Sequence, residues 1–197
     1  MNQQATIRAR IIKERNHLDA NTRHQQQVAF NQHLSSFCQR FLSLGIYCAV
    51  RGEISVDVLR AMDKAIALPK INADDQLVFV EDQADELWER GALGIPEPTS
   101  KEMTTLPEAF IIPLVAIDQW GTRIGMGKGY YDRYLVNLPA SIIKIGVGFD
   151  CQRVSETIER QAHDVPMDYF ISPSGILNFP LNDRHKKTPS KLGVLNN

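Results

Sequence analysis

The chain has 197 residues, 43% of them hydrophobic and 23% charged, with a formal net charge of -1 at pH 7. That length suits one domain with a substantial core, and the composition is that of an ordinary globule rather than a disordered or fibrous chain. The near-neutral charge gives no sign of a nucleic-acid partner, no apolar run is long enough to span a bilayer, and the polar N-terminus lacks a signal-peptide core. Cys38, Cys48 and Cys151 are scattered without metal-ligand spacing, the pattern of buried reduced thiols in a cytoplasmic protein.

Residues 4–18 read as a helix, with Ile7 and Ile11 one turn apart. Arg8 and Arg15 share one of its faces at a spacing of seven, and on the residues alone this is a solvated basic face. A second helix is expected from Asn21 or Thr22, both good N-caps, to about Ser43. Phe30, Leu34, Phe37 and Phe41 form its core stripe, and Gly45 is placed to end it. Residues 46–50 read as a buried strand, followed by Arg51, Gly52 and Glu53. A helix capped by Ser55 or Asp57 comes next, with Val58, Leu59 and Met62 on one face. Glu53 thus stands at the C-terminal end of a strand, the edge of an open α/β sheet where ligands bind. Residues 65–68 form a second strand ending at Pro69 and Lys70; Lys70 suits either an anionic substrate group or plain solvent exposure. Residues 77–80 form a third strand. The acidic stretch 81–88 reads as a turn with a short helix, and Trp88 as a core residue. Pro96 and Pro98 impose an extended segment on residues 94–98.

Residues 109–117 read as a central strand with a bulge at Pro113, since proline lacks a ladder donor. The chemistry is concentrated just after this strand. Gly125, Gly127 and Gly129 alternate along a loop that leads into a helix over 130–137. Absent side chains let a ligand approach the backbone, and exposed amides at a helix start attract anions. Arg123 and Lys128 add positive charge, and Asp132 is a carboxylate able to hold magnesium. The local reading is phosphate plus metal. A Walker A loop does not fit, because Lys128 is followed by Gly129, and the dinucleotide fingerprint does not fit either, because Gly129 comes one place early. Beyond the loop, residues 142–149 form a strand, 150–160 a loop with a short helix, and 168–172 a last strand. His163 and Asp164 suit a structural hydrogen bond or a base and its orienter. After Ser174 the chain reads as irregular, with a mobile basic tail over 183–197. Strands alternating with helices give a mainly parallel sheet covered on both faces.

The run Asp118, Gly121, Arg123, Gly125, Gly127, Lys128, Gly129, Tyr130, Tyr131, Asp132 matches, position by position, the hallmark of the 5-formyltetrahydrofolate cyclo-ligase family, which the chain resembles from its first helix to about Ser172. The resemblance implies a three-layer α/β/α sandwich, with residues 1–182 as one domain. It implies ATP-dependent closure of 5-formyltetrahydrofolate to 5,10-methenyltetrahydrofolate, with ATP as co-substrate and Mg2+ as cofactor. Arg123 and Lys128 are then the catalytic cations. Gln4, Arg8, Arg123, Ile124, Gly125, Met126, Gly127, Lys128, Gly129, Tyr130 and Tyr131 line the ATP site, although the family expects lysine where Gln4 stands. Glu53, Met126, Gly127, Lys128, Gly129 and Tyr130 contact the folate, and Asp132 and Asp164 are the magnesium ligands. The protein is expected to act as a cytoplasmic monomer, with no nucleic-acid or membrane partner. Two alternatives stay open: another ATP-dependent small-molecule ligase on this scaffold, and a nucleotide- or folate-binding module that has lost activity.

Overall fold

The computed structural model describes residues 2–83, 88–91, 94–99, 105–162 and 164–179. The predicted short helix within 81–88, His163 and the basic tail lie wholly or partly outside the described residues.

Two helices open the chain, α1 (Gln3–Asn16) and α2 (Ala20–Cys38). Asp19 caps α2, its carboxylate accepting from the Thr22 amide at 2.9 Å, so the cap lies two or three residues before the expected one. The helix also stops at Cys38, short of Ser43. Phe30, Leu34 and Phe37 still point inward as the expected stripe.

Seven strands form the main sheet: β1 (Ser43–Gly45), β2 (Ala65–Ile71), β3 (Leu77–Glu81), β6 (Ala109–Pro113), β9 (Ile143–Val147), β10 (Tyr169–Ser172) and β11 (Gly175–Asn178). Two small ribbons accompany it, β4 (Trp88–Arg90) with β5 (Pro96–Pro98), and β7 (Ala116–Ile117) with β8 (Arg123–Ile124). The sheet order is β11-β10-β9-β6-β1-β2-β3. The five inner strands are parallel, and β3 and β11 add antiparallel edges. From β1 the chain winds outward to β3, then returns to β6 and winds the other way. The order therefore reverses between β1 and β6, the kind of point where open α/β sheets hold ligands beyond the strands' carboxyl ends.

Alternation along the strands builds two cores. Leu44, Ile66, Leu68, Ala109, Ile111, Ile145 and Ile171 face α2. Ala67, Phe79, Phe110, Ile112 and Phe170 face the short third helix, α3 (Tyr130–Leu135). A smaller cluster joins Ile7 and Ile11 of α1 to Ala116 and Ile124 of the β7–β8 ribbon. The result is the three-layer α/β/α sandwich expected from the sequence.

Several expectations give way for local reasons. Gly45 does not end a helix but lies within β1. A Cβ built there would sit 2.3 Å from a ring carbon of Phe110, so close packing explains the glycine. The paired strand runs over Ser43–Gly45 rather than 46–50. The helix expected after Ser55 is only a 3-10 turn over Asp57–Ala61. Pro113 ends β6 without a bulge, and the chain then leaves the sheet for the β7–β8 ribbon. Pro69 is tolerated inside β2 because the bonds to β3 flank it on alternate residues, with Asp82 N donating to Ile66 O. Its missing donor therefore faces the other side, past the last residue of β1. Trp88 is not core: it lies on the surface of β4 with the Arg60 guanidinium 5.4 Å from its ring centroid. Strand β11 replaces the irregular stretch expected after Ser174.

Gly45→Val should destabilise the fold by about 1–3 kcal/mol, as overpacking of a filled core does, measured by urea denaturation.

Candidate functional site

A cavity of about 460 Å³ opens at the carboxyl ends of the strands. Tyr47 and Cys48, just past β1, form part of its floor, with Pro113 and Leu114 at the end of β6 and residues 69–71 of β2. Residues 123–132 close one side and α1 another. Every residue that the family resemblance assigns to a site lines this one cavity: Gln4, Arg8, Glu53, Arg123, Ile124, Gly125, Met126, Gly127, Lys128, Gly129, Tyr130, Tyr131, Asp132 and Asp164.

The glycine loop is reached differently from the expected strand–loop–helix run. The β7–β8 hairpin intervenes, and buried Asp118 organises it. Its Oδ1 accepts from the amides of Trp120 and Thr122, both at 2.9 Å, and its Oδ2 from the Ile158 amide at 3.0 Å. Strand β8 then delivers residues 125–129. Gly127 and Gly129 adopt φ of 94° and 70°, a left-handed backbone that favours glycine. A Cβ at Gly125 would meet nothing within 4 Å, so that backbone is open to a ligand. Helix α3 is only six residues long, two fewer than the predicted 130–137. Its macrodipole is correspondingly small, and anion attraction falls to the loop amides and nearby cations.

Charge is arranged in two tiers. Lys128 is exposed on the loop. Beneath it, Arg123 is 3% exposed at its side chain and donates through Nη1 and Nη2 to Asp132 Oδ1, at 2.9 and 2.8 Å. Burial pushes the Arg123 guanidinium below its ordinary pKa, while Asp132 and Asp164 favour its charged form. Its buried Nε has no hydrogen-bond partner among the described residues, which leaves a donor beside a candidate anion site. Arg8 reaches across from α1, its Nε donating to Gly125 O at 2.8 Å. Gln4 instead donates to Glu159 O at 2.9 Å.

Asp132 and Asp164 share the cavity, and Asp164 Oδ2 accepts from the Gln161 amide at 2.8 Å. Magnesium commonly takes one or two carboxylates and completes its octahedron with water and phosphate oxygens. This donor set fits that habit. Among the described residues no group of three or more His, Cys, Asp or Glu forms a self-sufficient metal site, so a metal here would depend on a phosphate ligand.

Glu53 enters the cavity from a tight turn, its Oε2 accepting from the Val50 amide at 3.1 Å. Burial raises its pKa, against the lowering effects of that amide, Arg15 and Arg51. Burial also raises the Tyr131 hydroxyl well above the ordinary tyrosine value and pushes the Cys48 thiol up to about 11, which leaves it un-ionised at neutral pH. Tyr130 donates its hydroxyl to Asp75 Oδ1 at 2.6 Å, fastening the start of α3 to the β2–β3 turn.

The residues alone miss part of the lining. Glu97 is 6% exposed and accepts from the Ile71 amide at 3.3 Å. Composition marks only an extended proline segment there, while the family resemblance puts its Gly-Ile-x-Glu-Pro stretch near the active site, and Glu97 does line the cavity. Lys70 lines the same cavity and donates to Glu89 Oε1 at 3.0 Å and Pro98 O at 3.1 Å, tying the β4–β5 ribbon to β2.

The chain is similar to known proteins over most of its length. Residues 1–173 match the model of the 5-formyltetrahydrofolate cyclo-ligase family. The chain is 32% identical to the 5-formyltetrahydrofolate cyclo-ligase of Haemophilus influenzae, over 82% of this chain and 92% of that one. It is 28% identical to the enzyme of the same name from Escherichia coli, over 68% and 79%. Among solved structures, the 5,10-methenyltetrahydrofolate synthetase of Aquifex aeolicus superposes with a TM-score of 0.75 at 23% identity, covering 98% of this chain and 99% of that one. The Mycoplasma pneumoniae synthetase gives 0.71 at 22% identity, covering 87% and 99%. These two likenesses speak to the fold.

The raised pKa of Glu53 carries a sign. A carboxyl whose folded pKa lies above its unfolded value contributes most stability at low pH and loses it as pH rises through the folded pKa. Glu53→Gln should therefore melt above the parent protein at pH 8, with the gap narrowing toward pH 5, in a pair of thermal melts.

Proposed function

The chain belongs to the 5-formyltetrahydrofolate cyclo-ligase family, and from that membership we propose how its cavity divides the work. The reaction is the ATP-dependent closure of 5-formyltetrahydrofolate to 5,10-methenyltetrahydrofolate. The N5-formyl group is an amide, and its oxygen is a poor leaving group. Transfer of the γ-phosphoryl group breaks the bond to ADP and forms a phosphate ester on the formyl oxygen, leaving an iminium carbon. N10 of the same folate attacks that carbon and gives up its proton. The carbon–oxygen bond then breaks, phosphate departs, and the methenyl bridge remains. Attack by N10 is intramolecular, so holding the folate in its folded form contributes much of the rate.

The observation that carries the reading is the convergence on one cavity of a bare glycine backbone, two tiers of cations and the Glu53 carboxyl. Phosphoryl transfer asks chiefly for positioning and charge neutralisation. The loop amides over residues 125–129 and Lys128 hold the phosphates. Arg123 supports them from below, and Arg8 braces the loop while reaching the nucleotide. Gln4 sits beside the same site without a charge. Glu53, Met126 and Tyr130 contact the folate, a flat ring suiting the apolar face and polar tip of tyrosine. Asp132 and Asp164 would hold Mg2+, which supplies charge neutralisation across the phosphates when bound. The reaction needs no covalent nucleophile from the protein, since the phosphoryl group passes directly to the formyl oxygen. No helix among the described residues is long and apolar enough to cross a membrane, and the enzyme works in the cytoplasm as a monomer.

Purified protein should form the methenyl product, followed by absorbance, from 5-formyltetrahydrofolate with magnesium-ATP and not without ATP. Lys128→Ala should fold normally and lose about 10²–10³ in kcat, the usual effect of deleting a contact to transition-state charge. Near-parental turnover in that variant would remove Lys128 from the mechanism.

A further inference from the structure

Arg15 lies near the C-terminal end of α1 and is 2% exposed. Its Nη2 donates to Arg51 O at 3.0 Å. Its Nε and Nη1 are buried and have no hydrogen-bond partner among the described residues. A buried guanidinium with two idle donors is expensive, and a surface face at helical spacing would never have put it there.

The crevice around it explains the placement. Arg15, Tyr47, Glu53 and Gln152 line it together, and Tyr47, Glu53, Pro113 and Leu114 belong to the main cavity as well. Glu53 itself is presented by an unusual turn. Arg51 and Gly52 both have positive φ, 51° and 77°, and the Glu53 amide donates to Val50 O at 3.0 Å to close it. A left-handed arginine persists only where its surroundings enforce it. Here two cations do so: Arg15 binds Arg51 O, and Arg23 of α2 donates to Gly52 O at 2.9 Å and to Arg15 O at 2.7 Å.

We infer that Arg15 is a positioning residue for folate binding: it pins the turn that carries Glu53 and sets a buried positive charge behind that carboxylate. This rests on the reading that Glu53 contacts the folate. The groups around Glu53 are Arg15 from α1, Arg51 and the Val50 amide from its own turn, and Tyr47 and Tyr131 from neighbouring elements; Arg23 adds its charge from α2, through Arg15. Arg15 favours the ionised form of Glu53, against burial. Without Arg15, the carboxylate takes up its proton at a higher pH, and folate affinity falls away sooner as pH drops.

The test is steady-state kinetics between pH 6 and 8 on the parent, Arg15→Met, Arg15→Lys, Glu53→Gln and the Arg15→Met/Glu53→Gln double variant. Arg15→Met should raise KM for 5-formyltetrahydrofolate about tenfold at pH 7, the scale of one lost charge contact, and more at pH 6, with KM for ATP unchanged. The double variant should match Glu53→Gln alone, because residues acting through one another are not additive. A parental folate KM across the pH range in Arg15→Met, or full additivity in the double variant, overturns the inference. Arg15→Lys keeps the charge but not the planar fork, so about a threefold rise is expected. That variant decides the matter should Arg15→Met not fold, a parental KM then counting against. A parental folate KM in Glu53→Gln instead removes Glu53 from the substrate, which overturns the underlying reading as well.

Discussion

The ion pair between Arg123 and Asp132 is the constraint from which the site is built. It joins the first residue of β8 to the first turn of α3, on either side of the glycine loop. Both ends of residues 125–129 are thereby fixed while the loop between them carries almost no side chain. Such a pair contributes little net stability, since desolvation offsets most of the attraction. Its value lies in geometry: a nearly side-chain-free loop would otherwise have many conformations of similar energy. Anchoring it in advance lets amides meet phosphate without reorganisation, which is what electrostatic stabilisation of a transition state requires.

The rest of the fold arranges walls around that loop. The reversal of strand order between β1 and β6 opens a crevice at the carboxyl ends. Helix α1 packs Ile7 and Ile11 against the β7–β8 ribbon, and this brings Arg8 onto Gly125 from outside the sheet. The β4–β5 ribbon closes the far side through Lys70 and Glu97. Each wall comes from a different part of the chain, so the cavity exists only when the sandwich is assembled.

How much the sequence made legible depends on how local each signal is. The run from Asp118 to Asp132 could be read because spacing along a loop survives folding unchanged. The apolar stripe of α2 could be read because helical periodicity is local as well. The start and end of β1 could not, because Gly45 answers to Phe110, a residue far along the chain. Strand β7 hid at the end of an apolar run, where a buried strand and a sharp departure from the sheet look alike. Arg15 was placed on a solvated face because periodicity reports which side a residue takes, not what the chain lays over it. Glu97 was legible only through the family's Gly-Ile-x-Glu-Pro stretch, since its partner, a backbone amide of β2, leaves no mark in the residues themselves.

The account turns on where a triphosphate settles, and a crystal structure with a non-hydrolysable ATP analogue and magnesium addresses that directly. The account predicts the β- and γ-phosphates against the amides of residues 125–129 with Lys128 alongside, and the adenosine on the α1 side near Arg8. A triphosphate bound elsewhere, with the loop left bare, would contradict it.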